Sequence, residues 1–176
     1  MVPDVVAAGL RLLLVGINPG LWTAWSGHHF GRPGNRFWTA LHAAGITPRV
    51  LDPSEQRELL ALGVGITNMV PRATAAADEL SRDEIRAGGA RLEALVARLG
   101  VATVAFLGMG AYRTAFGRPR AVTGRQPDAL AGAAVWVFPN PSGLQARYGV
   151  DEIAALLREA WATSATPGIS RPSSAA

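Results

Sequence analysis

The stretch Arg11-Leu12-Leu13-Leu14-Val15-Gly16-Ile17-Asn18-Pro19-Gly20 limits the possible folds more than any other part of the chain. Its apolar run has the length of a strand and no polar alternation, so both faces must be buried, as in a parallel sheet covered by helices. It ends abruptly in Gly-Ile-Asn-Pro-Gly, a tight loop at the carboxyl end of the strand, where open α/β folds place their ligands. Glycine lets the backbone approach a ligand and proline fixes the following φ, leaving Asn18 as the only polar side chain of the loop. Asn18 is the first candidate for chemistry.

The 176 residues suit one domain, expected over residues 1–162, with a Ser/Pro/Ala-rich tail at 163–176 predicted to be disordered. No apolar run approaches the roughly 20 residues that cross a bilayer, and no signal peptide is recognisable, so the expectation is a soluble, cytoplasmic protein with no membrane partner. With no cysteine and three histidines, thiolate metal sites and cysteine nucleophiles are excluded, and neither metal nor cofactor is expected. All 17 basic residues are arginine, and the net charge is +4. A surface of planar, bidentate donors suits phosphate backbones, although a GC-rich genome is the simpler reason for the missing lysines. Without a lysine side chain, no side-chain amine can form a Schiff base with a carbonyl substrate.

Further along, residues 18–35 hold too many Gly, Pro and aromatic residues for a helix or strand and read as a long functional loop. Phe30, between His29 and Gly31, suits stacking on a flat ligand. A helix is predicted from Asn35 to Ala44, and Asp52-Pro53-Ser54-Glu55 caps another that runs through Leu62. Residues 63–70 form a second strand with Thr67 and Asn68 at its carboxyl end. Ser81-Arg82-Asp83-Glu84 opens a long helix that stops at Gly100. Residues 101–107 form a third strand, followed by a short helix from Ala111 to Phe116. Arg118, Arg120 and Arg125 fall in a connection read as exposed. Residues 133–138 form a fourth strand that runs into Pro139-Asn140-Pro141-Ser142-Gly143-Leu144-Gln145-Ala146-Arg147, and a last helix starts at Asp151. An apolar tip such as Leu144 on a protruding loop is suited to entering a base stack.

Together, Gly16-Ile17-Asn18-Pro19-Gly20 and Asn140-Pro141-Ser142-Gly143-Leu144 resemble the mismatch-specific uracil/thymine-DNA glycosylase family of the uracil-DNA glycosylase superfamily. Pro33-Gly34-Asn35-Arg36-Phe37-Trp38 and Ala87-Gly88-Gly89 add to the similarity, which covers residues 2–161. The resemblance implies a three-layer α/β/α sandwich with a short, mainly parallel sheet. It implies a monofunctional enzyme that flips uracil, thymine or ethenocytosine mispaired with guanine out of double-stranded DNA and hydrolyses its glycosidic bond, leaving an abasic site for base excision repair. Asn18 would position the water. Ile17, Phe30 and Asn68 would bind the base, with Thr23 and Asn140 beside base and sugar. Ser142, Gly143, Leu144, Gln145 and Arg147 would form the wedge and its backbone contacts. A monomer, associated with the nucleoid of a bacterium, is the simplest expectation.

An amide orients water but cannot take its proton at neutral pH, so departure of the base must carry most of the reaction. The most active relatives resemble a pattern with aspartate in the first loop and histidine in the last, where this chain has Asn18 and Asn140. Slow turnover is therefore expected. Two other readings remain at this point: a non-catalytic module that senses mismatches or damage, and a free-nucleotide-binding α/β protein, which the absence of a Walker lysine disfavours.

Overall fold

The computed structural model describes residues 2–142 and 148–164. Leu12–Gly16 forms β1, buried throughout. Leu12 and Leu14 pack on one side of the sheet, and Leu13 and Val15 on the other. Successive side chains of a strand point to opposite faces, so this leucine run requires cover on both. Val64–Asn68 (β2), Thr103–Leu107 (β3), Gly124–Leu130 (β4) and Ala133–Phe138 (β5) complete a five-stranded sheet in the order β2-β1-β3-β5-β4, with only β4 antiparallel to its neighbour.

The helices are Leu21–Ser26 (α1), Phe37–Ala43 (α2), Arg82–Leu99 (α3), Met109–Phe116 (α4) and Val150–Thr163 (α5). Phe37 and Leu41 of α2, Ile153 and Leu157 of α5, and Leu59 cover the face of the sheet that carries Leu12 and Leu14. Leu92 and Val96 of α3, with Ala111 and Tyr112 of α4, cover the face that carries Leu13 and Val15. This is the expected three-layer α/β/α arrangement. It brings the carboxyl ends of β1, β2, β3 and β5 to one edge.

Four local expectations are corrected. The stretch after Asn18 is not structureless: Leu21–Ser26 is helical, ended by Gly27 in the left-handed region at φ 76°. Pro53–Leu62 carries the expected Asp52 and Glu55 capping box but winds as a 3₁₀ helix. The connection that holds Arg125 pairs as β4, an edge strand with a register shift between Arg125 and Ala129 that accommodates Pro127, while Arg118 is paired with Asp128 at 2.8 Å. At the carboxyl end, Thr163 closes α5 and Ser164 is buried, its carbonyl accepting from Arg11 Nε at 3.1 Å. Residues 165–176 of the expected tail lie outside the described residues.

Two close approaches set the site edge. A Cβ on Gly88 would lie 2.5 Å from the carbonyl oxygen of Met69, so only glycine lets α3 sit against the loop after β2. The amino-terminal segment straps the outer edge of β2, with Val5 and Ile66 exchanging backbone hydrogen bonds at 2.8 and 2.9 Å.

Candidate active site

The loop after β1 is held to the segment after β2 by backbone hydrogen bonds. Met69 N donates to Gly16 O at 2.8 Å, Val70 N to Ile17 O at 2.9 Å and Thr74 N to Pro19 O at 3.1 Å. The second segment therefore runs as a rail beside the first. Against it the Asn18 amide is fixed: Nδ2 donates to the Arg72 carbonyl at 2.9 Å and to Thr74 Oγ1 at 2.7 Å. A carbonyl oxygen only accepts, so the nitrogen must face Arg72 and the amide cannot be flipped. Asn18 Oδ1 has no hydrogen-bond partner among the described residues. Arg72 is itself anchored by Glu84, its Nε donating to Oε1 at 2.7 Å. That hydrogen bond holds the Glu84 carboxyl down at about 2.

Asn68, at the end of β2, is oriented by a chain of hydrogen bonds that starts at the amino terminus. His29 is buried, and its Nε2 lies 3.0 Å from the Pro3 carbonyl, so Nε2 carries the proton. Burial pushes the His29 pKa below its ordinary value, which keeps the ring neutral and leaves Nδ1 as an acceptor. Asn68 Nδ2 donates to that Nδ1 at 3.3 Å, and Asn68 Oδ1 is left beside Gly16. Arg91 on α3 donates to the Asn68 carbonyl and holds the strand end in place.

Phe30 takes the left-handed region at φ 53°, a conformation that costs a non-glycine residue about 1–2 kcal/mol and persists only where the surroundings enforce it. Its ring stacks on Phe37 with centroids 4.0 Å apart, and Trp38 Nε1 donates to the carbonyl of His29 just before it. The backbone N–H groups of Ile17 and Phe30 make no hydrogen bond among the described residues.

These groups border one cleft of about 280 Å³ at the carboxyl edge of the sheet. Of the residues singled out in the sequence, Asn18, Ile17, Thr23, Phe30, Asn68, Asn140 and Ser142 all line it. Thr23 is buried on the inner side of α1. Asn140 spends its Oδ1 on the backbone N–H of Ser142 at 3.0 Å, so its oxygen shapes the last loop. Gly143, Leu144, Gln145 and Arg147 lie outside the described residues. The two shoulders of that loop are tied to the start of α2, where Arg36 N donates to the Pro141 carbonyl at 3.1 Å and Arg36 Nη1 to the Tyr148 carbonyl at 2.7 Å. Sequence reasoning missed Arg72, Thr74, Pro3, His29 and Arg91 as supports, because most of them act with or upon main-chain carbonyls. Among the described residues, no group of three or more His, Asp or Glu side chains is placed to hold a metal ion.

The arrangement is a base-sized cleft with an oriented amide oxygen, a second amide presented as an acceptor, two unused backbone donors and no carboxylate in its lining. The family model of the uracil DNA glycosylase superfamily matches residues 3–163, and the chain belongs to that superfamily. Membership supports a DNA glycosylase, a hydrolase of DNA repair that acts on uracil in DNA. The fold is also similar to the solution NMR structure of a protein from Methanosarcina acetivorans named as a candidate uracil DNA glycosylase, with TM-score 0.61 and 19% identity over 90% of this chain and 95% of that one.

Proposed function

We propose that the protein is a monofunctional glycosylase that removes uracil, and more slowly thymine or ethenocytosine, mispaired with guanine in double-stranded DNA. The observation that carries this reading is the Asn18 amide, locked by Arg72 and Thr74 with Oδ1 unengaged at the cleft. A water donating to Oδ1 is oriented without being deprotonated, which suits a reaction in which the base leaves first and water captures an oxocarbenium-like sugar. The backbone N–H groups of Ile17 and Phe30 act on the developing negative charge of the departing base as oxyanion-hole donors do, each such donor contributing about 10²–10³ in rate.

Asn68 supplies selection. With Nδ2 given to His29, its Oδ1 accepts from a ring N–H. Uracil and thymine carry a proton on N3; ethenocytosine, bridged at N3, forgoes this hydrogen bond and is therefore placed among the slower substrates. Cytosine has a bare acceptor there and would leave two acceptors facing each other, a mismatch that sites built for a hydrogen bond reject strongly. Leu144 fills the gap left by the extruded nucleotide, and Phe30 stacks on the base. The absence of lysine side chains supports an intact strand with an abasic site as product.

Single-turnover release from duplexes carrying G·U, G·T, A·U or ethenocytosine tests the reading, with alkali to reveal abasic sites. Wild type is expected to act fastest on G·U, and Asn18→Ala to lose at least about a hundredfold in rate while still binding the duplex. Binding without release by wild type would make the protein a sensor and overturn the proposal.

A further inference from the structure

Helix α1 has two faces of opposite character. Thr23 is buried in the wall of the cleft, while Trp22 is 46% and Trp25 79% exposed on the outside. Residues three apart share a helix face, and the two indoles pack against each other with centroids 5.4 Å apart at 57°. Leu21, 59% exposed, extends the patch. Large aromatics grouped on a surface mark an interaction site, and this one begins three residues after Asn18.

We propose that the Trp22–Trp25 face is a stacking platform for an unpaired nucleobase next to the extruded nucleotide, on the same DNA strand. The inference rests on the glycosylase reading above and deepens it. Continuity commits the occupant to DNA: the same short helix forms part of the wall of the base cleft, so DNA that delivers one nucleotide beside Thr23 is brought next to α1. Charge agrees with this. From residue 5 to residue 51 the chain contains no aspartate or glutamate, and Arg32 of the same stretch lines the cleft that α1 borders. No acidic residue lies on α1 or in the sequence that flanks it. Stacking on indole does not discriminate among bases, so the platform adds affinity without sequence preference and favours DNA already frayed or single-stranded near the lesion.

The tryptophans themselves provide a readout. Trp38 and Trp136 are buried, and Trp161 lies beneath the Arg11 guanidinium, so Trp22 and Trp25 are the indoles a passing strand can reach. Uracil-bearing oligonucleotides, single-stranded and as a G·U duplex, are titrated into the full-length protein, following tryptophan emission and fluorescence polarisation of an end label. Emission of wild type is expected to be quenched. Trp25→Ala should raise Kd for the single strand by about tenfold, and Trp25→Phe should restore most of the loss. Because stacking releases no counterions, the slope of log Kd against log salt should not change. In single-turnover uracil release, the loss should fall on the protein concentration that gives half-maximal rate rather than on the rate at saturation. A Kd for both Trp25→Ala and the Trp22→Ala, Trp25→Ala double variant within twofold of wild type overturns the proposal. So does a DNA-free wild type that sediments as a dimer and becomes monomeric on Trp25→Ala, since the patch would then be a self-association face. The binding comparison needs no base release. An inactive wild type would sink the glycosylase reading, whereas an active wild type with unaffected variants would sink this inference alone.

Discussion

Replacing Gly16 by alanine tests whether the Asn68 side of the cleft is as tightly interlocked as its hydrogen bonds imply. A Cβ at that position would stand 2.6 Å from Asn68 Oδ1 and 3.2 Å from Phe30 Cζ, against 3.4 Å for the onset of ordinary contact. Neither neighbour can yield alone. Asn68 is tied through Nδ2 to His29, which is tied to the Pro3 carbonyl, and the Phe30 ring is backed by Phe37. Overpacking of this kind costs about 1–3 kcal/mol, and loss of the Asn68–His29 hydrogen bond adds about 1 kcal/mol. The midpoint of thermal unfolding, followed by far-ultraviolet circular dichroism, should therefore fall by roughly 5–15 °C for a chain of this size. Uracil release at 20 °C should fall as well, since in the proposed function the displaced group is the one that reads the base. The diagnostic result is non-additivity. In Gly16→Ala, Asn68→Ala the obstructing amide is gone, so the double variant should be at least about 1 kcal/mol more stable than the two single effects predict. Strict additivity, or a Gly16→Ala protein that melts within a degree of wild type, would refute the interlocking.

Two further outcomes follow from the same edge of the sheet. The folded pKa of His29 is depressed from 6.5 by burial, so its contribution to stability is fully present above pH 6.5 and is lost as the pH falls through the lower folded value. Acid titration of the wild type should show stability and uracil release declining together over that range, and the His29→Gln variant, which cannot titrate there, should lack this limb of the stability profile. At the start of α4, a Cβ on Gly110 meets nothing within 4 Å, so Gly110→Ala should raise the melting midpoint by a few degrees, worth about 0.5–1 kcal/mol of helix propensity. A lower midpoint would mean that the space around Gly110 is not open.

Apolar continuity made β1, β2, β3 and β5 legible, because a strand buried on both faces leaves nothing else for such runs to do. The capping residues Asp52 and Ser81 likewise marked real helix starts. Where the reading failed, the local signal was inverted. α1 buries only Thr23 and exposes its tryptophans, so its pattern is opposite to that of a core-facing helix. β4 contains Gly124 and Pro127 and buries only Gln126 and Leu130, which suits an edge and mimics a loop. Asn18 and Asn68 stood out because each is polar at the end of an apolar strand. Their supports did not, since the Pro3 and Arg72 carbonyls carry no side-chain signature, and Thr74 and His29 are ordinary residues until the fold brings them into place.

The two asparagines also explain how a cleft with no carboxylate in its lining presents oriented acceptors. Each is an amide whose nitrogen is spent on the scaffold, Asn18 on Arg72 and Thr74 and Asn68 on His29, so that each presents an oxygen of fixed direction. An aspartate at position 18 would place a carboxylate oxygen 2.9 Å from the Arg72 carbonyl, where only a protonated acid could donate. The rail after β2 is therefore built for an amide, and the strength of a general base is given up for a preset geometry. In the proposed reaction the rate then follows the stability of the departing base as an anion. A site of this kind discriminates among lesions by how readily they leave as well as by how well they fit.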